Sequence, residues 1–323
     1  MSDDVRHDVI VVGGGAAGLA AATWLGRYRR DTIVVDSGDY RAASVEISHG
    51  YLGRDPQHPM ELLATAREQL SAYETVEIRR ARMTQARRDG DCFVVDLDDG
   101  TALRCARIVL ATGVVDACPD IENFDAHYGA SAFHCPACDG FDAAGRDVVA
   151  YGWDERLVGF ATSLLDWARS VTVLTSGHRF DGDDACIDVL GRHGIEIVET
   201  KATRLLGARG EMEGVELADG RVVPASLLFF SVAHEPRTEL ARGLGCRLDD
   251  DGYVDVDGNG QTSVAGVYAA GDLAPGMQLV QIAAAKGTIA GINAALSLHG
   301  ERGSPRAPAP APDAPGELGE ARP

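Results

Sequence analysis

The spacing of apolar positions changes several times along the chain, and each change marks a predicted element. Val9 to Val12 is a short apolar run that breaks at Gly13-Gly14-Gly15. A small-residue helical pattern follows from Ala16 to Leu25, and a second apolar run, Ile33 to Val35, ends in Asp36. This predicts strand, tight turn, helix and strand. Ser37 to Pro59 has little periodicity and is expected to be a long loop over a ligand. Met60 to Tyr73 is predicted to be an amphipathic helix, with Leu62, Leu63, Ala66 and Leu70 on one side. Val76 to Ala86, Cys92 to Leu97 and Ala102 to Cys105 alternate as antiparallel strands do, with a turn at Asp98-Asp99-Gly100 between the last two. Arg107 to Ala111 is an apolar strand running into Thr112-Gly113.

Cys118 to Gly145 has few apolar runs, and the texture then repeats. Asp147 to Tyr151 is a predicted strand meeting Gly152, followed by a helix over Val158 to Ser170 and a strand over Val171 to Leu174. Further strands are expected at Ile195–Glu199, Gly214–Leu217 and Leu227–Val232. Gly266 to Ala270 is a strand running into Gly271-Asp272, and Leu279 to Leu296 a long helix of mostly small residues. The Pro/Ala-rich tail, 300–323, has almost no large apolar side chain and is expected to be disordered.

The first of these patterns carries chemistry. Strand, glycine turn, helix, strand and terminal acid is the arrangement of a dinucleotide-binding βαβ unit. Gly13 permits the turn, Gly15 lets the backbone approach a pyrophosphate, and Gly18 brings the helix close to the sheet. Free N–H groups at the helix start, around Ala16 and Ala17, meet phosphates, and Asp36 is placed to accept hydrogen bonds from a ribose.

Composition narrows the class. A chain of 323 residues can hold two domains. A net charge of -19 argues against a nucleic-acid partner and against an anionic membrane surface. No segment reaches the length of apolar run needed to span a bilayer, and the acidic N-terminus has no secretory pattern, so a soluble cytoplasmic protein is expected. Of seven cysteines only Cys135 and Cys138 form a close pair, spaced as a redox dithiol. A CxxC can also be half of a zinc site, but the second pair that zinc needs is missing from the sequence, and no metal is expected.

The N-terminal glycine motif, Ala111-Thr112-Gly113, the Cys135–Gly140 CxxCDG and the late Ala269–Asp272 AAGD together resemble the low-molecular-weight thioredoxin reductase family, over roughly residues 5 to 299. The resemblance implies an α/β fold of two Rossmann-like, three-layer ββα domains. Residues 1–115 and 248–299 would form a discontinuous FAD-binding domain, and 116–247 an inserted NAD(P)H-binding-like domain carrying the dithiol. It further implies a homodimer, with Cys138 nearest the flavin, Cys135 meeting the substrate, and Asp139 moving a proton. Asp139 as the cap of a helix beginning near Gly140 is the bland alternative. His134 and His49 are candidate bases near the dithiol, each titrating in a useful range. Gly13, Gly15, Ala16, Ala17, Gly18, Asp36, Ser37, Thr112, Gly113, Gly271, Asp272, Val280, Gln281 and Ile282 are the positions at which the family contacts FAD.

Two departures bear on function. The second glycine motif reads Gly152-Trp153-Asp154-Glu155, with an indole and two carboxylates where a pyrophosphate would sit, so NADPH use is doubtful. The arginine-rich 2′-phosphate site is reduced to His178 and Arg179 beside Asp181, Asp183 and Asp184. The loop His49 to Asp55, the Asp36-Ser37-Gly38 lead-in and the Phe133-His134-Cys135-Pro136 context are more similar to thioredoxin-reductase-like dithiol oxidases, which form disulfides in small natural products with O2 as acceptor. The expected partner is therefore a small-molecule dithiol or, in the alternative, a thioredoxin-like protein served by an NAD(P)H-dependent reductase. A ferredoxin-dependent reductase and a redox-sensing flavoprotein rank lower.

Overall fold

A computed structural model describes residues 6–231 and 234–300; the predicted tail from 301 on and Val232 lie outside the described residues. The chain begins with β1 (Arg6–Val12), α1 (Ala16–Arg27), β2 (Thr32–Asp36), α2 (Pro59–Leu70), β3 (Val76–Arg80), β4 (Met83–Asp89), β5 (Cys92–Leu97) and β6 (Ala102–Leu110). These strands lie in the order β3-β2-β1-β6-β5-β4. β1 alternates between two layers. Val9 and Val11 pack with α1, while Ile10 and Val12 pack with Phe93 and Val95 of β5. That division of successive side chains between faces is what a sheet buried on both sides requires.

Three predictions for this half are corrected. Val76–Ala86 is two strands, and β3 runs parallel to β2 while only β4 is antiparallel, to β5. The two segments 102–105 and 107–111 are one strand, whose start pairs β5 and whose end runs parallel to β1. The local alternation was visible, but strand direction depends on which neighbour supplies the ladder.

Beyond β6 come β7 (Val114–Asp116), α3 (Phe124–His127), β8 (Ala132–Phe133), α4 (Pro136–Asp139), β9 (Asp147–Tyr151), α5 (Arg156–Leu164), β10 (Ser170–Leu174), α6 (Asp184–Arg192) and β11 (Glu196–Val198). Then follow β12 (Ala202–Ala208), β13 (Glu211–Leu217), β14 (Val222–Pro224), β15 (Leu227–Phe230), β16 (His234–Pro236) and α7 (Glu239–Gly243). A parallel sheet, β11-β10-β9-β15-β8, is sandwiched between α5 and a three-stranded antiparallel sheet of β12, β13 and β14. The chain enters through β7 and leaves through β16, and these two strands pair antiparallel. The last elements, β17 (Val267–Ala269) and α8 (Val280–Leu296), return to the first sheet, with β17 parallel to β6.

α5 ends at Leu164, earlier than the predicted Ser170, because Leu165 to Trp167 turn back and Gly145 N–H donates to the Trp167 carbonyl (3.1 Å). The Trp167 ring then lies against Gly140, where a Cβ would meet it at 2.7 Å. α6 was not anticipated. Its signal was present: Asp183 accepts a hydrogen bond from Cys186 N–H (2.9 Å) as an N-cap ahead of apolar Ile187 and Leu190. α8 lies on α1 with no room for side chains between them; a Cβ on Gly287 would come within 2.0 Å of the Ala17 carbonyl oxygen. The small residues of α8 therefore let it seat, at Gly287, directly on the start of α1.

The two halves also touch through side chains. Arg209 on the β12–β13 turn pairs with Glu46 (2.6 Å) and donates to the Ser44 carbonyl (3.1 Å), while Arg237 reaches Asp39 (2.9 Å).

Candidate active site

The first glycine turn is built tightly on one side and left open on the other. Gly13 has φ +110°, and a Cβ there would sit 2.3 Å from the Ala111 carbonyl oxygen. A Cβ on Gly18 would strike the Gly13 carbonyl oxygen, so the helix can approach only without one. By contrast, a Cβ on Gly15 would meet nothing within 4 Å. That open space faces the start of α1, where Ala16, Ala17 and Gly18 present first-turn N–H groups. Asp36 ends β2 with its side chain buried and accepts from Gly38 N–H (2.9 Å), from Tyr40 Oη and from Arg67 (3.3 Å). Sequence reading missed Tyr40 and Arg67; Arg67 sits on α2 and also donates to the Gly14 carbonyl (3.0 Å), so it ties the acid to the turn. Ser37 lies between Asp36 and this Gly38 contact.

Thr112 and Gly113 follow β6. Thr112 Oγ1 donates to the Arg237 carbonyl (2.9 Å), and the Gly113 carbonyl accepts from Arg237 N–H (3.0 Å), so both sit where the chain crosses between halves. Gly271 and Asp272 follow β17. Asp272 accepts from Arg41 (3.0 Å), and burial, only partly offset by Arg41, raises its pKa. Arg41 also holds Asp116 through two bonds (2.6 and 2.8 Å) and Gln278 (2.7 Å). Burial works against the Asp116 carboxylate, but Arg41, His134 and the Tyr128 hydroxyl outweigh it and keep its pKa below the ordinary range. Arg41 is a further residue missed by sequence reading, because its partners are 75 and 231 residues away.

Val280, Gln281 and Ile282 form the first turn of α8, where no side chain caps the helix and the first ladder bond is Ala283 N–H to Leu279 (2.8 Å). The N-terminal partial positive charge is directed out of the helix here. The two open helix starts, the cleared space at Gly15 and the buried acids Asp36 and Asp272 fit an FAD.

Cys135 and Cys138 form a disulfide, with Cα atoms 5.3 Å apart, at the N-terminus of α4. Cys138 N–H donates to Cys135 Sγ (3.1 Å). Next to them burial, reinforced by Asp142 and opposed by His49, raises the Asp139 carboxyl pKa to about 7. Asp139 stands at the N-cap position of the short turn Gly140–Ala143, but its side chain makes no capping bond there. His49, which pairs with Asp55 (2.8 Å), is within electrostatic reach of Asp139.

His134 requires a correction. It was expected to titrate in a useful range, but burial, with Arg41 adding and Asp116 opposing, pushes its pKa down to about 4. It is a neutral imidazole at neutral pH, 3.4 Å from the Tyr128 hydroxyl, which itself reaches Asp116 (3.0 Å).

A cavity of about 480 Å³ opens onto Cys135, Pro136 and Ala137. Its apolar walls are Phe160 and Phe230 from one half and Tyr253, Met277 and Leu279 from the other. Cys138 is not among its lining residues.

The second glycine turn, Gly152-Trp153-Asp154-Glu155, has different neighbours. Trp153 stacks on His178 with ring centroids 4.1 Å apart and planes at 21°, and its carbonyl accepts from Asp181 N–H (2.7 Å). The loop after β10 is thus bonded over the turn. Asp154 is paired with Arg156 (2.7 Å), and Asp183 caps α6, so two of the carboxylates expected to repel phosphate have local partners.

The profile of the pyridine nucleotide-disulphide oxidoreductase family matches residues 7–287. Thioredoxin reductase tcpT of Claviceps purpurea is 31% identical, over 92% of this chain and 96% of its own. Thioredoxin reductase sirT of Leptosphaeria maculans is 30% identical, over 88% and 92%. The solved structure of HlmI superposes with a TM-score of 0.86 at 33% identity, covering 92% of this chain and 94% of its own. No described helix is long and apolar enough to cross a membrane. A disulfide at a helix start, between two nucleotide-type sheets of which one keeps an open glycine turn, belongs with these proteins: the chain is a thioredoxin-reductase-like enzyme of the pyridine nucleotide-disulphide oxidoreductase family.

Proposed function

We propose that this enzyme oxidises a small-molecule dithiol to a disulfide through Cys135 and Cys138, with O2 as the terminal acceptor. The observation that carries the reading is the Trp153–His178 stack, which occupies the turn where a reductase would hold the pyrophosphate of NAD(P)H. Electrons must then arrive from the thiol side, and the cavity at Cys135 has the size of a small-molecule site. In this reading residues 1–115 and 248–299 hold FAD through Gly13, Gly15, Ala16, Ala17, Gly18, Asp36, Ser37, Thr112, Gly113, Gly271, Asp272, Val280, Gln281 and Ile282, and 116–247 carries the dithiol.

A substrate thiolate attacks Cys135 Sγ, the Cys135–Cys138 bond breaks, and Asp139, protonated up to about pH 7, gives its proton to the leaving Cys138 sulfur. The second substrate thiolate attacks the substrate sulfur of the mixed disulfide. The substrate disulfide forms, and Cys135 leaves as a thiolate. His49 helps take up the substrate's protons, while neutral His134 is a hydrogen-bonding wall group. Asp139, now a carboxylate, takes the proton back from Cys138, so that the Cys135–Cys138 bond can re-form as its electron pair is given up. FAD held by the residues named above would supply the acceptor for that pair and its onward transfer to O2, which with two protons would give hydrogen peroxide.

The test is anaerobic stopped-flow of the FAD-loaded protein against NADPH, NADH and dithiothreitol, followed by air. Dithiothreitol should bleach the flavin at least ~100-fold faster than either nucleotide, a difference several kcal/mol of lost pyrophosphate contact would produce. Air should restore the colour with peroxide release. Fast bleaching by micromolar NADPH would instead make the chain a reductase of a thioredoxin-like protein. We further propose a cytoplasmic homodimer; a monomer by sedimentation at micromolar concentration would remove the dimer.

A further inference from the structure

The cavity at Cys135 has a charge pattern that the reaction itself does not need. Arg41 and Asp116 neutralise each other across two hydrogen bonds, and Arg41 is shared further with Asp272 behind the wall. His134 and His234 also face the space, and burial holds both below the ordinary histidine range, so they add no cation at neutral pH. The remaining lining charges are Asp249 and Asp251. Asp249 is fixed in place, with Oδ1 accepting from Asp251 N–H (3.1 Å) and Tyr253 N–H (2.8 Å). The lining therefore carries one arginine against three carboxylates, on apolar walls of Phe160, Phe230, Tyr253 and Met277.

Resting on the proposed oxidation, we infer that this cavity selects its dithiol by charge: Asp249 and Asp251 are specificity-determining residues that favour uncharged or cationic small dithiols and reject anionic ones. An anionic substrate brought to Cys135 meets two carboxylates, part-buried Asp249 and exposed Asp251, beside apolar walls, and at low ionic strength their like charge repels it. A cationic substrate gains from the same field, and a thiolate formed on a neutral substrate brings only the charge the reaction demands. The aromatic walls suit a flat or cyclic apolar body. The same field also disfavours an acidic protein as partner.

An isosteric pair tests this directly. Dihydrolipoamide and dihydrolipoate present the same dithiol and chain but differ by one negative charge, and 2-amino-1,4-dimercaptobutane supplies a cationic dithiol to set against neutral dithiothreitol. With the FAD-loaded protein at pH 7, bleaching by dihydrolipoamide should be about tenfold faster than by dihydrolipoate at low salt. The ratio should narrow as ionic strength rises. The double variant D249N/D251N should bring the ratio close to one. D91N, in the turn between β4 and β5 and outside the lining, should keep the wild-type ratio and so control for overall charge. Equal rates for the pair in the wild type, or an unchanged ratio in D249N/D251N, would overturn the inference while leaving the oxidation intact. If no dithiol bleaches the flavin, the proposed oxidation itself fails.

Discussion

The two glycine turns of this protein sit in the same topological place, each between a parallel strand and a helix, yet their surroundings differ. At Gly15 an added Cβ would find open space. At the corresponding stretch after β9, the chain supplies Trp153, which lies 4.1 Å from His178 and is bonded to the next loop through its own carbonyl. The strands, the parallel register and the hydrophobic layers are preserved in both halves, because they depend on apolar alternation rather than on the turn. On the proposed function, the second Rossmann-like unit keeps its fold while losing the property that makes such a unit bind a nucleotide. In the second half the scaffold instead carries a disulfide and half of a cavity.

The comparison can be broken most severely by giving the first turn the side chain of the second. Gly15→Trp should fill the open space beside α1 and yield protein that purifies without flavin colour, with FAD affinity down by at least ~100-fold by fluorescence titration. Circular dichroism should show the secondary structure retained; a yellow variant would mean that the space at Gly15 does not hold the cofactor.

The next largest effect concerns Asp139. Its pKa of about 7 makes it a proton donor below that pH, so dithiol-driven bleaching should lose this assistance as pH rises through 7. Asp139→Asn should slow bleaching by about 10–100-fold and abolish that limb of the pH profile. Stability has its own signature. The folded state holds this proton more tightly than the unfolded chain, whose carboxyl titrates near pH 4, so the group's contribution is fully present below pH 4 and is lost as pH rises to about 7. Asp139→Asn should flatten that slope in urea titrations at several pH values.

Opening the second turn should have a smaller effect. Trp153→Gly combined with His178→Arg removes the stack and restores a phosphate partner, and should raise flavin bleaching by NADPH by about tenfold over wild type. The gain should remain partial, because Glu155 stays at the helix start. No gain at all would show that the stack is not what excludes the nucleotide.

The smallest effect belongs to the contact between the halves. Arg209 is exposed, so Arg209→Ala should cost no more than about 1 kcal/mol in global stability. The same change should increase proteolysis around Ser44–Glu46, whose backbone that side chain holds.

Much of this organisation is legible in one dimension. Gly13-Gly14-Gly15, Gly18 and Asp36 announce the first βαβ unit, because tight turns and close helix–strand approaches exclude a Cβ and leave few residue types that fit. Cys135 and Cys138 are legible by spacing alone, since one helical turn brings them within bonding distance. Trp153 could be read as an obstacle from its position in the motif. The direction of β3 and the continuity of β6 were not legible, because apolar alternation reports burial and is silent on which neighbour pairs with the strand.

The sequence by itself determined the chemistry available: a glycine turn, a redox pair, an adjacent acid and a spoiled second motif. Only the tertiary structure decided the environment that sets what those groups do. Burial turned His134 into a neutral imidazole and Asp139 into an acid with a pKa near neutrality, although both looked like ordinary side chains in the chain. Arg41 found Asp116 and Asp272 across 75 and 231 residues, and Asp249 came to share a cavity with Cys135. Desolvation and charge pairing depend on which surfaces the fold brings together, and that information is distributed over the whole core rather than written beside each residue.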